Sequence, residues 1–475
     1  MKVLKLVVIV VFAITSPAIA VTKSKVATTK QQLKFTVVAG VPFMEIPSRG
    51  SSKVSVTVCP EESEPTVFAV SYNTPMKGLT VALTCDLQGQ GNTKISRNNV
   101  DVFRLSCDDL IAASDSRMSC PHTHVDIGPE PISIWLTVNV PRGTKAGLYK
   151  SAVGFYQGKK LVFSTPIEVN VFPLRLLGSS KQYALFTNYG PGCLDGEVGI
   201  SYAQFLAAFK KLGIKVVGLS CSPSEAAQAF RDYTAAGMGG PLPVLCYAFD
   251  KSVPTDADVK AIDDARKAAG VPAAIYVCFD DPRTVDDIEL TIAQINAMHA
   301  AKVRAISRVT DPDVLGSLSD IDGVNYHVDA PYVRSLISGE KKRNSSKWEW
   351  YWWDARESAS KNRIYAGLAL WKSGLDGCFP VWMPIKGKSP LDGVRSLLGE
   401  ALREGIDDTR YITTYMKALR ELKDMKRQKD KDYIAFTEDY LSKFLARPVE
   451  QLTPIDLAQL KAKMAEFSLK LASML

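Results

Sequence analysis

Apolar and polar residues alternate along the first third of the chain, and the rhythm changes between Pro173 and Ser180. Ile132-Ser133-Ile134-Trp135-Leu136-Thr137-Val138-Asn139-Val140 repeats with period two, the pattern of a strand with one buried face. Similar runs occur at Val54 to Val58, Val67 to Tyr72, Leu148 to Tyr156 and Leu161 to Val171. Turn residues such as Pro141-Arg142-Gly143 and Gln157-Gly158 separate the later ones. These spacings predict an antiparallel β-sandwich over residues 21–175. After Ser180, strand-length apolar runs near Tyr183, Ile214, Leu242, Ala273, Val303, Val324, Trp348 and Cys378 alternate with helical periodicity, as at Tyr202 to Leu212 and Val285 to Ala301. Gly213, Gly237 and Gly270 stand where helices stop. Eight such units over residues 180–411 predict a (β/α)8 TIM-type barrel. An open doubly wound sheet would carry a Gly-rich phosphate loop after its first strand, and Gly190-Pro191-Gly192 is not that fingerprint. Residues 412–475 form a helical C-terminal extension by pattern, and the basic stretch Lys417 to Lys431 reads as its solvated surface. The fold class expected is therefore all-β followed by α/β.

The N-terminus alters the expected compartment. Lys2 and Lys5, the apolar run Leu6 to Ile14 and the small residues Ala18-Ile19-Ala20 match a secretory signal over 1–20, so the chain is expected to be exported after cleavage near Ala20. Its removal takes two lysines from the formal charge, from +8 to +6, too modest a balance to imply nucleic acid. No later segment has the ~20 apolar residues of a membrane span. Among the nine cysteines, Cys59, Cys85, Cys107 and Cys120 are candidates for one or two disulfides. Cys246, Cys278 and Cys378 lie in apolar runs and read as buried small hydrophobes. Cys120-Pro121-His122-Thr123-His124 fits no standard zinc spacing, so neither metal nor cofactor is expected.

Candidate chemistry concentrates where Ala274-Ile275-Tyr276-Val277-Cys278-Phe279 ends in Asp280-Asp281-Pro282. In the barrel scheme these acids close the fourth strand, at the face where barrel enzymes work, and Pro282 pushes Asp281 toward extended backbone. Neighbouring carboxylates hold one proton more tightly than a lone aspartate would, which suits a general acid. The competing structural reading makes the pair a cap for the helix from Thr284. Other strand ends bring Asn188, Tyr326, Tyr351, Trp352, Asp354 and Trp382 toward the same face. Aromatic rings beside carboxylates suit sugar rings, although part of the Trp348 to Trp353 stripe must be core. Arg356 is a further candidate for substrate hydroxyls or a carboxylate. Arg363 reads as structural, and Glu400, Arg403 and Glu404 as intrahelical pairs.

Arg363-Ile364-Tyr365-Ala366-Gly367-Leu368-Ala369-Leu370-Trp371-Lys372-Ser373-Gly374-Leu375-Asp376-Gly377, with Trp382 beyond it, resembles the signature of the glycoside hydrolase family 123 group and its uncharacterised relatives. Glu400-Ala401-Leu402-Arg403-Glu404-Gly405-Ile406-Asp407-Asp408 resembles the helix that follows, and Pro141 to Tyr149 is similar to their N-terminal domain. The resemblance implies a β-N-acetylgalactosaminidase-type glycosidase acting on a glycan with a 2-acetamido sugar. The acetamide oxygen attacks the anomeric carbon, Asp280 matches the residue that orients it, and Asp281 matches the acid. The family acid is glutamate, one methylene longer, and ~1 Å at a proton donor costs on the order of 10²-fold in rate. Two alternatives stand beside this: a non-catalytic glycan-binding protein, or a glycosidase using two carboxylates with Asp354, Glu349 or Asp250 as the second.

Overall fold

Strand formation follows the β-branched and aromatic runs. The computed structural model of the 475-residue chain describes residues 35–44, 46–105, 124–185, 201–218, 221–238, 244–246, 252–272, 274–278, 281–356, 358–381 and 396–475. The region assigned to a signal sequence lies outside these residues. In order come β1 (Phe35–Gly40), β2 (Val54–Val58), β3 (Ser63–Tyr72), β4 (Met76–Leu83), β5 (Leu87–Gln88), β6 (Lys94–Ile95), β7 (Val100–Leu105), β8 (His124–Ile127), β9 (Ile132–Asn139), β10 (Gly147–Gln157) and β11 (Lys160–Val171). They form two sheets. One has the antiparallel order β1-β3-β9-β7, and the other follows β2-β11-β10-β4-β8, with β5 and β6 to one side. The second sheet is mixed, because β2 runs parallel to β11. The sheets share an apolar cluster that includes Val54, Phe68, Val81, Leu136, Phe155 and Val169.

The alternation in β9 predicts one buried face, but the structure buries both. Trp135 and Val67 belong to a second cluster, shared with the helices that follow, and Ser133 and Thr137 are buried as well. Trp135 Nε1–H donates to Thr137 Oγ1 at 3.1 Å, and that hydroxyl donates to Glu400 at 3.2 Å. The polar residues that mimic a solvent face therefore meet the polar side of a helix.

Eight parallel strands follow: β12 (Gln182–Leu185), β13 (Val216–Val217), β14 (Val244–Cys246), β15 (Ala274–Val277), β16 (Arg304–Val309), β17 (Gly323–His327), β18 (Trp348–Asp354) and β19 (Gly377–Val381). Their order is β13-β12-β19-β18-β17-β16-β15-β14, and the end strands β13 and β14 lie beside each other. Several helices between successive strands start on side-chain caps. Ser201 with Gln204, Thr255 with Asp258 and Thr284 with Asp287 are reciprocal capping boxes. The Thr284 box answers the structural reading of the acid pair, since this helix is capped without Asp281.

Alternation sorts the strand side chains. Val277, Ile306, Trp350, Phe379 and Val381 meet inside the curled sheet, with Trp348 and Trp352 at its margins, whereas Tyr351, Trp353, Tyr326 and Val324 face the helices. Gly323 has no Cβ because one would stand 3.0 Å from Trp348 O and 3.1 Å from Trp348 Cβ.

The segments that resemble the family signature form one packed unit. Arg363 makes a bidentate pair with Asp408 at 2.9 and 3.0 Å, and Asn362 donates to Leu398 O. A π-helical turn, Tyr365–Ala369, lays Gly367 against Gly405 of the helix Leu397–Asp424, which runs unbroken past residue 411. A Cβ on Gly405 would come within 2.5 Å of Arg363 O. Gly405→Ala is therefore expected to cost about 1–3 kcal/mol by overpacking, although Ala is the better helix former, and chemical denaturation measures it.

This unit adjoins a buried ionic junction. Lys461, on the last helix Pro454–Met474, contacts Glu62 at 2.8 Å, Glu404 at 3.3 Å and Glu64. Tyr411 and the Cys59 amide donate to Glu62 at 2.8 and 2.7 Å. Arg403 pairs within its helix to Glu400 and Asp407, as the spacing predicts, but Glu404 also turns outward to Lys461 and Arg363. Cys59 and Cys85 are free thiols, so the disulfides expected in this third do not involve them, and burial pushes the Cys59 thiol up to about 12. Cys107, Cys120 and Cys246 lie where no side chain is described. Cys278 and Cys378 are buried, as expected.

Candidate functional site at the C-terminal ends of the parallel strands

Asp281 lies just past β15, and its backbone departs from the expectation. Instead of extended geometry before Pro282 it takes φ +57°, a left-handed conformation that aspartate tolerates better than most residues. The turn is held from both sides. Its N–H donates to Arg308 O at 3.0 Å, and Oδ1 accepts from Thr310 N–H at 2.9 Å, tying β15 to the end of β16. Oδ2 accepts from Arg283 Nε at 2.8 Å and from Nη2.

These bonds decide the electrostatics of Asp281. Burial alone would raise its pKa, but the bonds from Thr310 and Arg283 outweigh burial and hold the carboxyl below the ordinary aspartate range. The side chain is only 12% exposed, whereas Arg283 is 71% exposed, so the arginine lies over it from the solvent side. Asp280 lies outside the described residues, as do Asn188, Trp382 and Asp250.

Three strands further round, at the end of β18, Asp354 repeats the motif. Its carboxylate accepts from Arg356 Nε at 2.8 and 3.2 Å, from Nη2 at 2.5 Å and from the Arg356 amide at 2.9 Å. Burial would again raise its pKa, and the bonds from Arg356 lower it. Arg356 is thus engaged with Asp354.

Trp352 and Tyr351 cannot share a face, because neighbouring strand residues point in opposite directions. Trp352 faces inward. The Arg308 guanidinium stands 4.3 Å from its ring centroid, and His327 meets it edge-on at 4.5 Å. Tyr351 is fully buried on the helix side and donates its hydroxyl to Tyr365 O, so it does not line the mouth. Tyr326 is also turned away, with its hydroxyl 3.4 Å from Glu349. Glu349, at the opposite end of β18, accepts from Arg343 at 3.0 Å and from Tyr332, which removes it as the second carboxylate. Arg283 and Arg308 join this face without having been singled out, beside Asn325 and His327 of the β17 end, which was expected to converge there. Arg308, Asn325 and His327 are legible from alternation, two and four residues from Ile306 and Gly323, once those positions are known to face inward. No group of three or more His, Cys, Asp or Glu side chains among the described residues is arranged to hold a metal ion, and no helix there is long and apolar enough to cross a membrane.

The fold has a counterpart among solved structures. Among solved structures the chain is similar to a family 123 glycoside hydrolase from Clostridium perfringens studied for glycolipid glycan hydrolysis, with TM-score 0.65 and 11% identity over 93% of this chain and 100% of that one. The expected resemblance to this group thus holds at the level of fold. Weaker likenesses link it to a family 39 glycoside hydrolase from Bacteroides cellulosilyticus WH2, with TM-score 0.35 and 9% identity over 78% and 82% of the two chains. A family 5 xyloglucanase from Bacteroides ovatus follows, with TM-score 0.30 and 8% identity over 78% and 100%. At these scores the last two add nothing to the fold assignment. No family model and no curated protein matches the chain.

Proposed function

We propose that the chain is an exported glycoside hydrolase that acts on glycans with N-acetylated amino sugars by substrate-assisted retaining hydrolysis. In this reading a β-sandwich over 21–175 precedes a closed (β/α)8 barrel over 180–411. The observation that carries it is a likeness to a family 123 glycoside hydrolase spanning both regions, combined with Asp281 at the end of the fourth parallel strand. Asp281 donates the proton to the leaving oxygen. Asp280 orients the acetamide, whose oxygen attacks the anomeric carbon, so no second carboxylate nucleophile is needed. Trp352, with Trp382, Asn188 and Asp354, contacts the sugar.

Before substrate enters, Arg283 keeps Asp281 ionised, which is the wrong state for an acid. A sugar seated in the mouth displaces the exposed arginine and excludes water, and both changes favour the protonated carboxyl. Arg283→Ala is therefore expected to raise the Asp281 pKa and shift the alkaline limb of the kcat/KM profile to higher pH. An unshifted limb would separate Arg283 from the acid. The overall reading is tested with aryl glycosides that carry either acetamide or hydroxyl at C2, alongside a thiazoline that imitates the cyclic intermediate. Turnover restricted to the acetamide series and blocked by the thiazoline is expected. Equal turnover of both series would reject substrate assistance.

The paired carboxylates of Asp281 and Asp354 favour a second reading, a glycan-binding protein without turnover. Glycan-array binding with no hydrolysis of the bound glycan would select it.

A further inference from the structure

Resting on that reading, we infer that Asn325, Trp350 and Trp352 form a polar floor inside the parallel sheet that binds the neutral hydroxyl-bearing edge of a sugar. Three buried polar atoms there have no hydrogen-bond partner among the described residues: Asn325 Oδ1, Trp350 Nε1 and Trp352 Nε1. Asn325 is opposite Trp350 in the β17–β18 register, and Trp352 is one row nearer the mouth, opposite His327. Their side chains share the inward face, because Val324, Tyr326, Tyr351 and Trp353 between them belong to the outer cluster. A buried polar atom without a partner costs about 1–3 kcal/mol, and three in two adjacent rows exceed what a close-packed strand layer ordinarily leaves.

Their chemistry selects the ligand. Indole N–H groups only donate, whereas the amide oxygen only accepts. A carboxylate or sulfate would satisfy the indoles and leave Asn325 Oδ1 unmatched, and an ammonium would do the reverse. A hydroxyl has one proton to give and two lone pairs to receive, so neighbouring hydroxyls answer both kinds of group. The edge-on His327 and the Arg308 guanidinium fix the Trp352 ring, so its N–H is held ready for a ligand. The floor thus reads hydroxyls, a role separate from protonation at Asp281.

Calorimetric titration of the full chain with methyl 2-acetamido-2-deoxy-β-galactopyranoside and its 3-, 4- and 6-deoxy analogues tests this, using wild type, Asn325→Leu and Trp352→Phe. The phenylalanine keeps an aromatic ring but removes the indole donor along with part of the ring surface, and the deoxy analogues separate the two losses; it leaves an interpretable variant if the Asn325 substitution fails to fold. Each folded variant is expected to lose about tenfold in affinity for the parent sugar and to match wild type on the one analogue lacking its partner hydroxyl. Variants that bind like wild type, or that lose equally on every analogue, overturn the floor and leave the proposed function standing. If wild type binds neither this sugar nor methyl β-galactopyranoside, both readings fall.

Discussion

Lys461→Ala should be the most destabilising single substitution in the chain, by about 3–5 kcal/mol in chemical denaturation. The side chain is buried against Glu62 just before β3, Glu64 in β3 and Glu404 of the helix Leu397–Asp424, so its loss strands carboxylates from two regions. Surface pairs offer the contrast. Lys443 with Asp439, both largely exposed, is worth at most about 1 kcal/mol. The cost should also depend on pH. Burial, with Glu404 next, raises the Glu64 pKa well above the ordinary range against the opposing effect of Lys461. A carboxyl whose folded pKa exceeds its unfolded value stabilises most fully below the unfolded value, about 4.3, and that contribution is lost as pH rises through the folded value. Removing the ammonium raises the folded value further, so the gap between wild type and variant should narrow in acid and widen toward neutrality. A gap independent of pH would mean that the glutamates find other partners.

Asp281→Asn should lower kcat/KM by about 10²- to 10⁴-fold, the usual contribution of a positioned proton donor. Asparagine keeps an oxygen for the Thr310 amide, so the tie between β15 and β16 survives and the loss cannot be assigned to unfolding. Circular dichroism checks that point. The substitution removes both the proton and the partner of Arg283, so Arg283→Ala must be compared with it. If Asp281 is the acid, the arginine variant keeps activity with a displaced pH limb, whereas the asparagine variant is slow at every pH. Similar kinetics in both variants would reduce Asp281 to a strand tie.

The succession of parallel strands was legible because short apolar runs alternate with helices, several of which carry their own cap, such as Thr255 with Asp258. Strand parity was not, since the stripe Trp348 to Trp353 is aromatic on both faces and hydrophobicity cannot say which face is inside. The adjacency of Tyr351 and Trp352 was nevertheless enough to exclude one of them from the mouth. β9 misled for the opposite reason, as Ser133 and Thr137 are polar but buried. At the acid site Arg283 is only two residues from Asp281, but their pairing, which lowers the Asp281 pKa, depends on a left-handed turn that Pro282 argues against, so it was not legible in the sequence. The resemblance to family 123 rested on Arg363, Gly367, Gly405 and Asp408, which serve packing and charge pairing. That explains how it identifies a fold more securely than a reaction.

The most direct measurement is the configuration of the first sugar released by wild type, followed by proton NMR before mutarotation, from an aryl 2-acetamido-2-deoxy-β-galactoside. Attack by the substrate's own acetamide followed by water inverts the anomeric carbon twice, so the β-anomer should appear first. Initial release of the α-anomer, or no release by a chain that binds the sugar, would contradict acetamide-assisted hydrolysis at Asp281.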